Sequence, residues 1–164
     1  MTIERILPQK ENREERAHYT LAMIKPDGIQ QGIVDEFEGE LAQKDITLLS
    51  RFPIFFDRES IFRTFRILRE LSEFGDDWKE DVAQALQEGS CLAYVLSGEN
   101  VIEKVLQIRD SIRQKHTNRA DYSQRVVKNL IHASDSAEEA ELELTVMLEI
   151  IDTVKQGPSP QKSL

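Results

Sequence analysis

The sequence predicts a mixed α+β domain rather than a doubly wound α/β one. Two observations carry that expectation. The chain has 164 residues, the length of one domain able to bury its own core. Within it, four short apolar runs of strand character are interspersed with segments of helical period.

Tyr19–Ile24 reads as a short buried strand, stopped by the turn Lys25-Pro26-Asp27-Gly28. Ile33, Phe37 and Leu41 recur at helical spacing over 33–42, a helix that Gly39 weakens by about 1 kcal/mol relative to Ala. Residues 47–56 are rich in β-formers, and Pro53 points to an edge strand or a bulge. Asp57 can cap a helix whose apolar face is Ile61, Phe62, Phe65, Leu68 and Leu71. A second helix over 77–87 buries Trp78, Val82 and Leu86. Residues 92–97 form a third strand. Gly98-Glu99-Asn100 then opens a helix with Val101, Val105, Ile108 and Ile112 on one side. A fourth strand is expected over 126–131, and a last helix over 136–152 with Ala137, Ala140, Leu144, Leu148 and Ile151 buried. Residues 1–17, with four acids, four bases and no apolar period, read as an extension. Residues 153–164 read as a tail, because Gly157, Pro158 and Pro160 cannot continue a helix. The folded domain is then 18–152.

Composition excludes several classes of function. Apolar residues at 40% and charged residues at 31% fit neither a disordered chain nor a membrane protein. No apolar run is long enough to span a bilayer. A net charge of −9 opposes general nucleic-acid binding. The seven glycines are scattered, and neither GxxxxGK[ST] nor GxGxxG occurs. Cys91 is alone, so an intrachain disulfide is impossible and a cysteine zinc site is disfavoured. A charged N-terminal stretch without a signal-peptide core adds to the expectation of a reducing cytoplasm. His18 and His116 show no metal-ligand spacing and read as surface histidines; no metal ligands are assigned.

Three places are rich in reactive groups. Lys25, at the carboxyl end of a strand, can reach a phosphate as a point charge, or can simply be solvated beside a Pro-Asp-Gly turn. His132 ends an apolar strand just before a helix that Ser134 or Asp135 can cap, and helix N-termini favour anions. Its imidazole can be a nucleophile or proton carrier, with Glu143 folding back to fix its tautomer, or an ordinary strand-end side chain. The segment 109–125 is basic and carries Arg109, Arg113, Lys115, His116, Arg119 and Arg125. It can hold polyphosphate or be a solvated, salt-bridged surface.

Taken in order, these segments resemble the nucleoside diphosphate kinase family. Tyr19-Thr20-Leu21-Ala22-Met23-Ile24-Lys25-Pro26-Asp27-Gly28 resembles the family's strand ending in KPDG, followed by Gly32-Ile33-Val34. Gly98-Glu99-Asn100-Val101 resembles its GxN before a helix. Asn129-Leu130-Ile131-His132-Ala133-Ser134-Asp135-Ser136 resembles NxxHGSDS around the phosphorylated histidine, and 138–143 the acidic helix after it. The resemblance spans 18–152. It implies a ferredoxin-like α/β sandwich, with a four-stranded antiparallel sheet covered by helices. It implies ping-pong transfer of a γ-phosphate from a nucleoside triphosphate to a nucleoside diphosphate through a phosphohistidine, with Mg²⁺ as cofactor. It also implies a homo-oligomer of at least two subunits.

By position the resemblance makes His132 the nucleophile, with Glu143 orienting its ring and Ser134 assisting. Lys25 and Arg119 are implied to contact phosphates, and Asn129 the sugar and phosphate region. Phe65 stands for the family's tyrosine near the histidine, and Trp78 for the aromatic that stacks on the base, with Val82 beside it. The chain also departs from the pattern. Leu106 and Ile112 replace an arginine and a threonine that bind phosphate, Gln31 replaces a common arginine, and Ala133 replaces a glycine. The stretch between Leu106 and His132 is about four residues shorter than the family's and lacks its Gly/Pro-rich loop. Arg109 and Arg113, one and two turns beyond Leu106 on the same stripe, are candidates to restore the charge. The alternative is a nucleotide-binding regulatory module of the same fold with weak or no transfer.

Overall fold

The computed structural model of the chain describes residues 18–68, 70 and 75–156. The expected extension 1–17, the chain from 157 onward and Leu71 lie outside the described residues.

Alternation along strand β1 (Tyr19–Ile24) divides the core in two. Leu21 and Met23 point to one face of the sheet, Ala22 and Ile24 to the other, and all four are buried. Strands β2 (Thr47–Ile54), β3 (Cys91–Ser97) and β4 (Ile131–Ala133) complete one antiparallel sheet in the order β2-β3-β1-β4. Both faces carry helices. Helices α2 (Val34–Gln43) and α5 (Val101–His116) cover Ala22, Ile24, Tyr94 and Leu96 with Phe37, Leu41, Val105, Ile108 and Ile112. Helices α3 (Arg58–Thr64), α4 (Gly75–Leu86) and α7 (Ala137–Gln156) cover Leu21, Met23, Phe52 and Ile54 with Ile61, Trp78, Val82, Leu144 and Met147. Each such side chain, fully buried, stabilises the fold by about 1.5–3 kcal/mol. Two short helices, α1 (Pro26–Gln31) and α6 (Tyr122–Val126), sit at the strand ends near β4.

Local chemistry explains the element ends. Asp57 caps α3: the Ser60 N–H donates to Asp57 Oδ1 at 2.8 Å, and the Asp57 N–H donates to Ser60 Oγ at 3.0 Å. Such a cap is worth about 1 kcal/mol. At Phe65 the backbone turns extended, so the expected longer helix divides into α3 and a 3-10 turn, Arg66–Leu68. Phe65 and Leu68 nevertheless stay in the core. Pro53 lies on β2, an edge strand, which also bulges between Leu48 and Ser50. The Lys25–Gly28 stretch, expected as a turn, opens α1. Pro26 sits in its first turn, where no N–H is missed, and Gly32 ends it at φ +74.

The fourth strand departs most from the sequence reading. Residues 127–130 are not strand; β4 begins at Ile131. Val127 and Leu130 are apolar and buried, as a strand's would be. Their backbone is instead spent on turns: the Val127 and Lys128 N–H groups both return to Ser123 O. Apolar content reported burial here, and burial does not distinguish a packed turn from a strand. The last helix is capped by Ser136, whose Oγ accepts from the Glu139 N–H at 3.1 Å, and not by Ser134 or Asp135.

Candidate active site

His132 is the middle residue of β4 and pairs across the sheet with Met23. Directly opposed residues share a face. Met23 belongs to the core beneath α3, α4 and α7, so the imidazole faces those helices. There its Nε2–H donates to the Glu143 carboxylate, at 3.0 Å from Oε1 and 2.9 Å from Oε2. The Ser134 hydroxyl donates to Glu143 Oε2 at 2.7 Å. Phe65 stands edge-on to the ring, centroids 4.9 Å apart. Glu143 and Ser134 are buried, whereas 26% of the His132 side chain is exposed. A carboxylate accepts only, so the proton on this ring belongs on Nε2. Nδ1 then carries the lone pair, the state a nucleophilic imidazole needs.

The ring opens on a cleft of about 470 Å³. Lys25, Arg66, Arg109, Arg113 and Arg125 bring positive charge to its wall, and Phe65, Leu68, Trp78 and Val82 make its apolar side. Lys25 is buried; its Nζ donates to Val127 O at 2.8 Å and to Asn129 Oδ1 at 2.6 Å. Burial pulls its pKa down to about 8, against a smaller upward pull from Asp27. Arg113 donates from Nε to Asn129 O at 3.1 Å and from Nη2 to Ile131 O at 2.5 Å. Burial, then the nearby Arg109, lowers its pKa to about 10, so it stays charged at neutral pH. Arg109 Nε pairs with Asp110 at 2.9 Å, and its Nη1 stands 3.9 Å from Asp135. Trp78 lines the cleft with its Nε1–H held by Val126 O at 2.8 Å, which fixes the indole plane.

Lys25, Phe65, Trp78, Arg109, Arg113, Asn129, His132 and Glu143 thus meet around one space. Ser134 stands behind it, bonded to Glu143. Arg119 is exposed and is not on the wall of the cleft, although its charge is close enough to depress Arg113. Arg66 and Arg125 are also on the wall. In the sequence Arg125 is only one charge in the basic segment, and Arg66 carries no signal, since it reaches the cleft through the 3-10 turn after α3. Ile112 is buried in the core under α5, and Leu106 packs against the same cluster, so neither position can hold an anion. His18 is exposed; His116 is half-buried, with Nε2 2.5 Å from Glu36. Among the described residues no group of three or more His, Cys, Asp or Glu side chains is placed to hold a metal ion.

The chain is similar in sequence and in fold to known proteins. A family model described as nucleoside diphosphate kinase matches residues 18–152. The nucleoside diphosphate kinase of Hyperthermus butylicus is 32% identical over 131 residues, covering 77% of this chain and 89% of that protein. That of Listeria welshimeri is 28% identical over 134 residues, covering 79% and 88%. Among solved structures, the Aquifex aeolicus nucleoside diphosphate kinase superposes with a TM-score of 0.64 at 26% identity, over 81% of this chain and 98% of that one.

Proposed function

This chain belongs to the nucleoside diphosphate kinase family, a family of phosphotransferases that move a γ-phosphate between nucleotides through a phosphohistidine, and from that premise we propose that His132 is the histidine phosphorylated. The single observation carrying this reading is the Glu143 carboxylate on Nε2, which leaves Nδ1 unprotonated at a cleft walled by cations.

The first half-reaction needs an in-line displacement. The Nδ1 lone pair forms a bond to the γ-phosphorus, and the bond from that phosphorus to the β,γ-bridging oxygen breaks. Its electron pair leaves with the nucleoside diphosphate. Positive charge then develops on the ring, and Glu143, held by Ser134, stabilises it through the Nε2–H. The second half-reaction is the reverse, onto a different diphosphate. Little beyond positioning and positive charge is required of the protein.

We assign Lys25, Arg109 and Arg113 to the phosphates, with Arg119 approaching from the loop after α5, and Asn129 to the sugar and phosphate region. Arg109 and Arg113 take over the phosphate contacts that Leu106 and Ile112 cannot make, a role supported by their place on the wall. Trp78 offers the base a fixed aromatic face, and stacking of that kind accepts every base. Phe65 keeps the ring, without a hydroxyl, beside His132. The family uses a divalent metal, and we infer Mg²⁺. Of the carboxylates on the wall, Glu70, Asp135, Glu139 and Glu143, Asp135 is the one we assign to help hold it. A cation carried mainly by phosphate oxygens suits a cleft offering few clustered acids. When bound, the metal would supply neutralisation of phosphate charge beside the cationic wall.

The catalytic unit is taken as 18–152. Among the described residues no helix is long and apolar enough to cross a membrane, and a cytoplasmic setting is inferred from the one buried cysteine. At least a dimer is inferred, supported by exposed Leu48 and Leu49 on the edge strand β2 and exposed Phe55 just after it; a monomer by light scattering overturns it. The deciding experiment incubates the protein with γ-labelled ATP and Mg²⁺. An acid-labile, base-stable label that passes to GDP and disappears in His132→Ala is expected. No label under any condition would favour a regulatory module instead.

A further inference from the structure

The residue leading into the His132 strand has a backbone conformation that bulky L-residues rarely adopt. Leu130 has φ +76, and the Ile131 N–H donates across it to Asn129 O at 2.9 Å. A three-residue turn with positive φ at its centre is the rare, strained hand of γ-turn. Strain of this kind persists only where the surroundings over-determine it.

Here they do. The Leu130 N–H donates to Asp27 Oδ2 at 2.9 Å. The Lys25 N–H donates to Leu130 O at 2.9 Å. Arg113 holds the carbonyls on either side, Asn129 O and Ile131 O. Gly28 lets the chains approach: a Cβ there would lie 2.6 Å from Leu130 O. Every backbone polar group of the turn residue is thus bonded to the 25–28 segment, and His132 follows two residues later.

We infer that Asp27 is a positioning residue for phosphoryl transfer, holding Leu130 in the strained turn that sets where His132 stands. The inference rests on His132 being the nucleophile. Asp27 is not on the wall of the cleft, so it does not act by touching the nucleotide. Released from Asp27, Leu130 can relax to negative φ and re-aim Ile131–Ala133. That moves a ring whose bond to Glu143 is 2.9 Å long. A misplacement of about 1 Å costs about a hundredfold in rate.

The test measures single-turnover labelling of the full chain from γ-labelled ATP and Mg²⁺ across ATP concentrations, with thermal unfolding alongside. At about pH 6.5, where Lys25 keeps its proton without the upward pull of Asp27, Asp27→Ala is expected to slow labelling at saturating ATP by about 10- to 100-fold, with the half-saturating concentration within about twofold of wild type. Asp27→Asn keeps an uncharged acceptor and falls between the two. Adding Leu130→Gly to Asp27→Ala raises the rate again, because glycine takes positive φ freely, while the lost side chain lowers thermal stability further. A purely structural role predicts that rate and stability fall together. Wild-type labelling in Asp27→Ala, a loss carried by half-saturation, or a double variant slower than Asp27→Ala overturns the inference. Should Asp27→Ala not fold, Asp27→Asn decides by the same split between rate and half-saturation. If His132→Ala still takes label, the nucleophile assignment fails; if it takes none and Asp27→Ala is unchanged, only the positioning claim fails.

Discussion

Raising the pH from 7 to 10 should move activity and stability in opposite directions, and Lys25 is the reason. Burial lowers its pKa from an ordinary 10.5 to about 8. In the free enzyme the ammonium is therefore about half lost at pH 8 and about nine-tenths lost at pH 9. If that charge meets the phosphates, kcat/KM for ATP falls about fivefold from pH 8 to 9 and close to tenfold per pH unit beyond that, since kcat/KM reports the free enzyme. Stability runs the other way. A lysine with a depressed pKa binds fewer protons folded than unfolded, so the burial penalty stands in full below pH 8 and fades as pH rises through 8 to 10.5. At 1.36 kcal/mol per pH unit, the gap between 10.5 and about 8 amounts to about 3 kcal/mol. Cys91 and Tyr94, both pushed up by burial, act oppositely at higher pH, so the comparison is with Lys25→Met. The measurement is kcat/KM and the urea midpoint from pH 7 to 10.5, with Lys25→Arg as the variant that keeps its charge. A flat kcat/KM between 7 and 10, or the same alkaline limb in Lys25→Arg, would refute the reasoning.

Glu143→Gln should lower the rate of phosphohistidine formation by about a hundredfold or more, because an amide can donate to Nε2 and favour the tautomer that protonates Nδ1. Rapid-quench labelling at saturating ATP checks it. Arg109→Ala should raise the KM for ATP about tenfold, roughly 1.4 kcal/mol, and leave kcat within a few fold. Initial-rate kinetics separate the two; unchanged KM removes Arg109 from the phosphate site.

Much of this site was legible because its parts are short and local. Lys25-Pro26-Asp27-Gly28 and His132-Ala133-Ser134-Asp135-Ser136 are each contiguous, and chemistry carried on one turn survives being read in one dimension. The i, i+3 and i, i+4 stripe through Leu106, Arg109 and Arg113 followed from helical period alone. What failed was wherever a three-dimensional partner replaced a local one. Residues 127–130 read as strand because Val127 and Leu130 are apolar, but the backbone there is claimed by Ser123, Lys25 and Asp27. Asp27 read as a turn former, and its bond to Leu130, 103 residues away, has no trace in spacing. Arg66 reaches the cleft only because α3 breaks at Phe65.

By itself the sequence determined the α+β class and the family and pointed to His132 as the histidine we propose to react, since period-2 and period-3.6 burial and two contiguous motifs depend only on neighbours along the chain. Only the tertiary structure decided which nitrogen of His132 is free, which cations face it and how Leu130 is held. Those depend on a sheet order, β2-β3-β1-β4, that brings residues 25–27 beside 127–132 and sets α7 over the strand.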